Sequence, residues 1–505
     1  MTVVVVKSTA STTKSAVVIG GGFIGISSAI HLASRGFAVT VLEKSKTGVA
    51  EKDGDAASYG NAGTFAPYAT FGLNEDRAGI FRSAFEAFFG GGGGSSMMLF
   101  GGETKSSVSD DVLKSPLSFQ LSSSNAMEVV RFAMQFLRAS SPEKSSKTSL
   151  GLSELCKRAS SSWKDTLRLV GVNPETFLDE HANRNGYLLL TKSRFDSPEL
   201  IAKNEERKRL LGDRDVWKHE GEGELVNPEV CKQLEPNLTD LAVANGGIFF
   251  KDAWSLRAPD VFLKKLAEFA MKMKSANGGS IEIKCGSSGE VVDVRREEEK
   301  EKSETQQRVK AEIVTKNGDV YTNVHTIVVC AGWRSKEIAR MCGDGDIPLI
   351  AERGYSVEFP DTEQVSPSKL LTRATCFQRG GFILSPLQSR LRVAGLVEFG
   401  PNQPPTASNF LLLETTTHKL LWNLSKTTAA SRNPSSDWLG SRPTLPDYLP
   451  VIGRSAAKTN VVYAFGHQHV GFTLAGITGK TVADIADETP LEFSLEPYGL
   501  ARFFL

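Results

Sequence analysis

The chain has 505 residues, too many for one compact core, and this length points to two domains. Hydrophobic residues make up 40% and charged residues 23%, and a net charge of +1 supplies no field for steering nucleic acid or anionic membranes. No run approaches the roughly 20 apolar residues of a membrane span, which leaves only peripheral membrane contact open.

Six cysteines (Cys156, Cys231, Cys285, Cys330, Cys342, Cys376) lack CxxC pairs or regular spacing. No metal centre or disulfide framework is expected, and a reducing compartment, the cytoplasm, is. The first fifteen residues carry Lys7, Lys14, several hydroxyl residues and no acid. That faintly transit-like composition keeps a mitochondrial location in view but lacks arginine. The terminal Phe503-Phe504-Leu505 is not a peroxisomal Ser-Lys-Leu signal.

Residues 16–44, AVVIGGGFIGISSAIHLASRGFAVTVLEK, carry the strongest motif. A β-branched run (Val17, Val18, Ile19) enters Gly20-x-Gly22-x-x-Gly25, an amphipathic helix follows, and a second β-branched run ends in Glu43, 18 residues after Gly25. Each element has a task in holding a dinucleotide. Gly20 permits the tight turn, Gly22 lets the backbone approach a pyrophosphate, and Gly25 allows close helix–strand packing. The helix N-terminus offers N–H groups and a positive dipole end to the phosphates, and Glu43 can accept from ribose hydroxyls.

Ser58-Tyr59-Gly60-Asn61-Ala62-Gly63-Thr64 reads as a loop whose backbone passes close to a flat or charged group, or as a plain turn. Residues 88–110 are rich in glycine and serine and read as a mobile insertion, with Met97 to Phe100 as an apolar clip. Between 124 and 170 the spacing of Val129, Val130, Phe132, Ala133, Phe136 and Leu137 predicts a helix. A polar linker, Ser140 to Thr148, is expected before a second helix with Leu152, Leu155 and Trp163.

Residues 186–192 read as a strand, Glu205 to Arg214 as a charged helix, and 246–250 as another strand. Ala258-Pro259-Asp260 opens a helix through Met273, followed by strands at 280–284 and 290–294. The charged run 295–308 reads as a solvated hairpin tip. The apolar run 324–332 predicts a strand buried on both faces, with Cys330 in packing. Strands follow at 353–359, 382–385 and 391–395, then a strand and glycine turn at 461–467 and a helix from Val470 to Ile485. There is no internal repeat.

Several stretches, in order, match one family: residues 16–44, SYGNAGTFAPYA (58–69), VVCAGWRS (328–335), ERGYSVEFP (352–360), SRLRVAGLVEFG (389–400), WLGSRPTLPDYLPVIGR (438–454) and GHQHVGFTLAGITGKTVADI (466–485). The chain resembles the FAD-dependent amino-acid oxidoreductases of the D-amino acid oxidase and glycine oxidase superfamily. Asn61-Ala62-Gly63 and Arg353-Gly354-Tyr355-Ser356 make it look most like the D-amino acid dehydrogenase small-subunit branch, while residues 70–180 match poorly.

The resemblance implies an α/β fold in which a Rossmann-like FAD domain (1–75, 240–345, 435–505) is interleaved with an α+β, mixed-sheet substrate domain (76–239, 346–434). It implies Gly20, Gly22, Phe23, Ile24 and Gly25 at the FAD pyrophosphate, Glu43 and Lys44 at the adenosine, and Val291 offering its backbone to adenine. Asn61, Ala62 and Gly63 would supply backbone donors near the flavin, and Gly332 would face the pyrophosphate. Gly466, His467, Gln468, His469, Val470 and Gly471, opening a helix, would meet negative charge at the flavin N1 and O2 edge. Either histidine can instead be a satisfied structural group.

Arg442 would clamp the substrate carboxylate with its two-pronged guanidinium, the alternative being a surface ion pair. Tyr355 would be a second donor, and Arg353 and Arg392 would be structural. The implied reaction is hydride transfer from the α-carbon of an amino acid, a D-amino acid on the branch resemblance, to flavin N5. The imine then hydrolyses to a 2-oxo acid and ammonia, with a quinone or oxygen as final acceptor. Two alternatives stand beside it: a glycine, sarcosine or proline-type amine oxidase using oxygen, and a flavin-stabilised binding protein without turnover.

Overall fold

A computed structural model describes residues 5–7, 14–52, 56–71, 117–119, 126–212, 223–296, 310–399, 404–425 and 432–504. The 88–110 insertion and most of the expected hairpin tip lie outside the described residues.

The expected βαβ unit forms. Strand Ser15–Ile19 leads through Gly20–Gly22 into helix Phe23–Ser34, and Ala38–Glu43 returns parallel to the first strand. These strands occupy the middle of a sheet ordered Ser280–Cys285, Ala38–Glu43, Ser15–Ile19, Thr326–Val329, Val461–Phe465 and Val451–Arg454. All pairs are parallel except the last. Thr326–Val329 and Val461–Phe465 are buried throughout, as central parallel strands covered on both faces must be.

Helix Phe23–Ser34 packs along helix Gly471–Ala486, which packs along Pro142–Leu169. Small residues allow the approach: a Cβ on Gly479 would lie 2.6 Å from the Ser27 backbone, and one on Gly476 would lie 2.8 Å from the Ser162 backbone.

A second, mixed sheet runs Trp438–Thr444, Ile350–Pro360, Arg390–Phe399, Phe382–Leu387, Ala374–Phe377, Tyr187–Leu190, Gly247–Phe250 and Gly223–Val226, with Leu117–Phe119 beside Arg390–Phe399. One face packs into an apolar core containing Leu188, Leu190, Val357, Leu384 and Val393. Side chains alternate along a strand, so Tyr187, Leu189, Cys376, Ile383 and Ala394 fall on the other face, which lines a cavity. The fold is therefore mixed α/β, with a largely parallel sheet meeting a larger mixed sheet.

Two expected elements differ. The polar stretch Ser140 to Thr148 is not a linker: the second helix begins at Pro142, because Ser141-Pro142-Glu143 combines a cap-type residue, proline at the first helical position and an early acid. The charged helix also begins earlier, at Pro198, behind Ser197, whose side chain accepts from the Leu200 N–H. Val5–Lys7 adds a parallel strand to Val320–Thr322. No helix among the described residues is long and apolar enough to cross a membrane.

Candidate active site

A cavity of about 1390 Å³ runs from the Gly20 turn and Glu43 to the second sheet. At its nucleotide end the turn is built by contact. Gly20 has φ +113°, and a Cβ there would lie 2.5 Å from the Cys330 carbonyl oxygen. A Cβ on Gly25 would lie 1.8 Å from the Gly20 carbonyl oxygen, so no larger residue fits. The Glu43 carboxylate accepts from the Gly21 N–H at 2.7 Å and from the Ser45 N–H at 2.9 Å, one bond to each oxygen.

Phe23 turns its ring into the core against Phe472 and Trp163, so only its backbone serves the turn. Lys44 pairs with Glu290 at 3.0 Å beside Val291, and Gly332 lines the same end with φ +60°. Burial pushes the Cys330 thiol well up, and the thiol donates to the Ile19 carbonyl, a packing role.

The loop 58–64 hangs over the middle of the cavity, tied by its carbonyls. Arg392 donates to the carbonyls of Tyr59 (3.2 Å) and Asn61 (3.0 Å) while paired with Glu358, and Ser385 donates to that of Ala62 (2.8 Å). The Asn61 side chain closes the loop on itself, accepting from the Gly63 N–H at 2.7 Å. The expected Gly63 donor is therefore already committed.

Opposite lies the turn Gly466 to Val470, before helix Gly471–Ala486, which has no side-chain cap at its N-terminus. Gln468 adopts φ +44°, unusual for a side-chain-bearing residue. It is 4% exposed, lines the cavity, and among the described residues neither end of its amide has a hydrogen-bond partner. Such a group is costly unless a ligand or water completes it. Its backbone N–H reaches the Pro443 carbonyl at 3.2 Å, joining this turn to the strand of Arg442.

The two histidines separate. His467 is buried, its Nε2 lies 2.9 Å from the Thr478 hydroxyl, and burial lowers its pKa to about 3. Of the two readings of this histidine, donor to the flavin edge or satisfied structural group, the Thr478 contact fits the second, although the residue also borders the cavity. His469 is exposed where it lines the cavity, and the mass of protein around it still lowers its pKa by desolvation, with Glu352 opposing and Arg442 reinforcing the shift.

Arg442 lines the cavity at the start of the larger sheet. Its Nη1 donates to Glu352 Oε1 at 2.9 Å and to the Leu396 carbonyl at 3.1 Å. Among the described residues its Nε and Nη2 have no partner, and the guanidinium lies over Gly354, where a Cβ would meet Nη2 at 2.3 Å. Glu352 is 1% exposed and also accepts from Thr444 at 2.8 Å and Tyr448 at 3.2 Å. Leu396 holds φ +61°, a strained conformation for a bulky residue, which places its carbonyl on the guanidinium.

Tyr355 corrects an expectation. It lies in the core on the sheet's far face, its hydroxyl donates to Glu398 at 3.1 Å and accepts from the Thr406 N–H at 3.0 Å. The bond it would give a substrate is already made. Arg353 pairs with the same Glu398 at 3.1 Å, both side chains 3% exposed, in the structural role expected. Sequence reasoning missed Glu352 and the carbonyl of Leu396; the only trace was an acid two residues before Gly354 on an alternating strand.

The chain matches, over residues 15–485, the sequence profile of the family described as DAO, FAD dependent oxidoreductase. It belongs to that family. FAD is accordingly the cofactor of this enzyme, and the glycine turn, the acid at Glu43 and the unsatisfied amide of Gln468 fit such a dinucleotide. Among relatives, the D-amino-acid oxidase of Bradyrhizobium diazoefficiens is 27% identical over 492 residues, covering 96% of this chain and 98% of its own. D-amino acid dehydrogenase 3 of Mesorhizobium japonicum is 31% identical over 172 residues, covering 34% of this chain and 40% of its own. Among solved structures, glycine oxidase from Geobacillus kaustophilus shares the DAO fold at TM-score 0.60 and 18% identity, covering 97% of this chain and 99% of its own. Among the described residues no cluster of His, Cys, Asp and Glu has metal-site form.

Proposed function

We propose that this DAO-family enzyme oxidises the α-amino group of a D-amino acid, giving an imino acid that water hydrolyses to a 2-oxo acid and ammonia. One observation carries the reading: Arg442 faces the cavity with Nε and Nη2 open while Nη1 is held by Glu352 and Leu396. A guanidinium fixed on one edge and open on the other suits bidentate capture of an α-carboxylate. The names of the relatives support the amino-acid substrate and its D configuration.

FAD, when bound, supplies the electron-pair acceptor for the α C–H hydride at its N5. The chain positions and shields. Gly20, Gly22, Phe23, Ile24 and Gly25 would hold the pyrophosphate with Gly332 beside them, and Glu43, Lys44 and Val291 the adenosine. Asn61, Ala62 and the 466–471 turn would frame the ring. Arg442 sets the α-carbon, and the sheet face at Ile383, Ala394 and Leu396 keeps water from it. The amine enters neutral, so no dedicated base is required. This reading divides the chain into a nucleotide domain, residues 1–75, 240–345 and 435–505, and a substrate domain, residues 76–239 and 346–434.

Purified protein is expected to carry a flavin spectrum that bleaches anaerobically with D-amino acids. Hydrogen peroxide formed in air would identify oxygen as acceptor, and its absence with dye reduction a quinone-type acceptor. A flavin that no D- or L-amino acid bleaches would sink the proposal and leave a binding protein.

A further inference from the structure

Resting on that amino-acid reading, we propose that the preferred substrate carries a second carboxylate in its side chain, and that Arg379 receives it. Arg379 lies in the turn Gln378–Gly380 after strand Ala374–Phe377, half-buried and lining the same cavity. Among the described residues it has no hydrogen-bond or ion-pair partner, whereas Arg353, Arg392 and Arg442 each pair with a carboxylate. A half-buried guanidinium left without an anion is an unmet electrostatic demand.

The sheet register places it to meet the substrate. Glu352 stands opposite Arg442 and Phe399, Gly395 opposite Phe382, and Phe382 opposite Phe377. Followed across these pairs, Arg442 and Arg379 lie at the same end of the sheet, on strands four places apart. Four spacings of about 4.8 Å put their backbones roughly 19 Å apart. Two arginine side chains with a short diacid between them span such a distance.

The Tyr68 hydroxyl adds a polar group to the cavity wall beside Tyr187, the two rings stacked at 5.1 Å. Lys192, two residues beyond the strand that pairs with Ala374–Phe377, lines the same end and adds positive charge. The paired Arg442 takes the α-carboxylate and Arg379 the distal one. A neutral side chain of equal size would leave Arg379 unsatisfied, and such a mismatch discriminates strongly.

The test compares isosteric pairs, glutamate against glutamine and aspartate against asparagine, in both configurations, by anaerobic flavin bleaching. The wild-type kcat/KM ratio of acid to amide is expected to exceed about tenfold, and Arg379→Gln to lower that ratio at least tenfold. Arg379→Lys, which keeps the charge, should recover some of it, and flavin content reports whether each variant folds. Bleaching by neutral amino acids with no preference for diacids, or a ratio unchanged in Arg379→Gln, overturns this proposal while the amino-acid reading stands. Bleaching by no amino acid at all overturns both.

Discussion

Arg442→Lys separates the two tasks assigned to Arg442. Arg442→Ala would leave Glu352, at 1% exposure, as a buried carboxylate facing only hydroxyls. Breaking a buried pair in that way costs about 3–5 kcal/mol, so lost activity would be confounded with lost folding. Lysine keeps a cation for Glu352 and should cost at most about 1–2 kcal/mol, the scale of a weakened charge-assisted hydrogen bond. A single ammonium drawn to Glu352 cannot also present the two donors that Nε and Nη2 now offer to the cavity. Each such bond to a charged group is worth about 1.5–3 kcal/mol, so two together come to about 3–6 kcal/mol. With every 1.4 kcal/mol worth about tenfold, kcat/KM should fall by at least about 10². Stopped-flow bleaching with amino acids, alongside flavin content and thermal midpoint, measures both sides. A lysine variant that binds FAD normally and turns over amino acids within about threefold of wild type would refute the clamp.

Tyr355→Phe should leave KM for amino acids unchanged, because the hydroxyl serves Glu398 and Thr406, yet cost about 1–3 kcal/mol by leaving Glu398 short of a donor; steady-state kinetics and denaturant melts check the two halves. Gly25→Ala should abolish FAD retention, since its Cβ would fall 1.8 Å from the Gly20 carbonyl oxygen, and absorbance of the purified variant reads this directly. His31 and His467 are both buried, and burial lowers each pKa from 6.5 to about 3, the neighbouring Arg35 and Lys480 adding to the effect at His31. The unfolded chain therefore binds these two protons before the folded one does. Their stability contribution is complete above pH 6.5 and is lost as pH falls towards 3, at up to about 1.36 kcal/mol per pH unit for each histidine. His467→Gln should remove one of the two contributions, visible as a shallower decline of unfolding free energy between about pH 6.5 and pH 4.

The nucleotide end was legible in the sequence because its chemistry is local. Turn, helix and terminal acid lie within 29 residues, and each is set by the backbone freedom or hydrogen-bonding capacity of one residue. The substrate end is not local. Arg442 was legible, but the carboxylate that holds it lies 90 positions earlier, and only the pairing of Glu352 with Arg442 across two strands brings them together. Tyr355 shows why motif membership misleads on a strand buried on both sides. Tyr355, Val357 and Phe359 alternate with Ser356 and Glu358, and that alternation places the tyrosine with the apolar core face, away from Glu352 and Gly354 on the cavity side. The same argument explains the histidines. In a turn forced by the positive φ of Gln468, two residues apart does not mean the same side, so His467 points into the helix packing against Thr478 while His469 opens on the cavity. Arg379 left no periodic signal, because it sits on a single turn between two strands. Its lack of an acid becomes visible only once the other arginines of that sheet, Arg353, Arg390, Arg392 and Arg442, have been matched with theirs. Cofactor binding is thus encoded within one contiguous segment, whereas substrate choice is encoded in which charges the sheet register leaves unpaired.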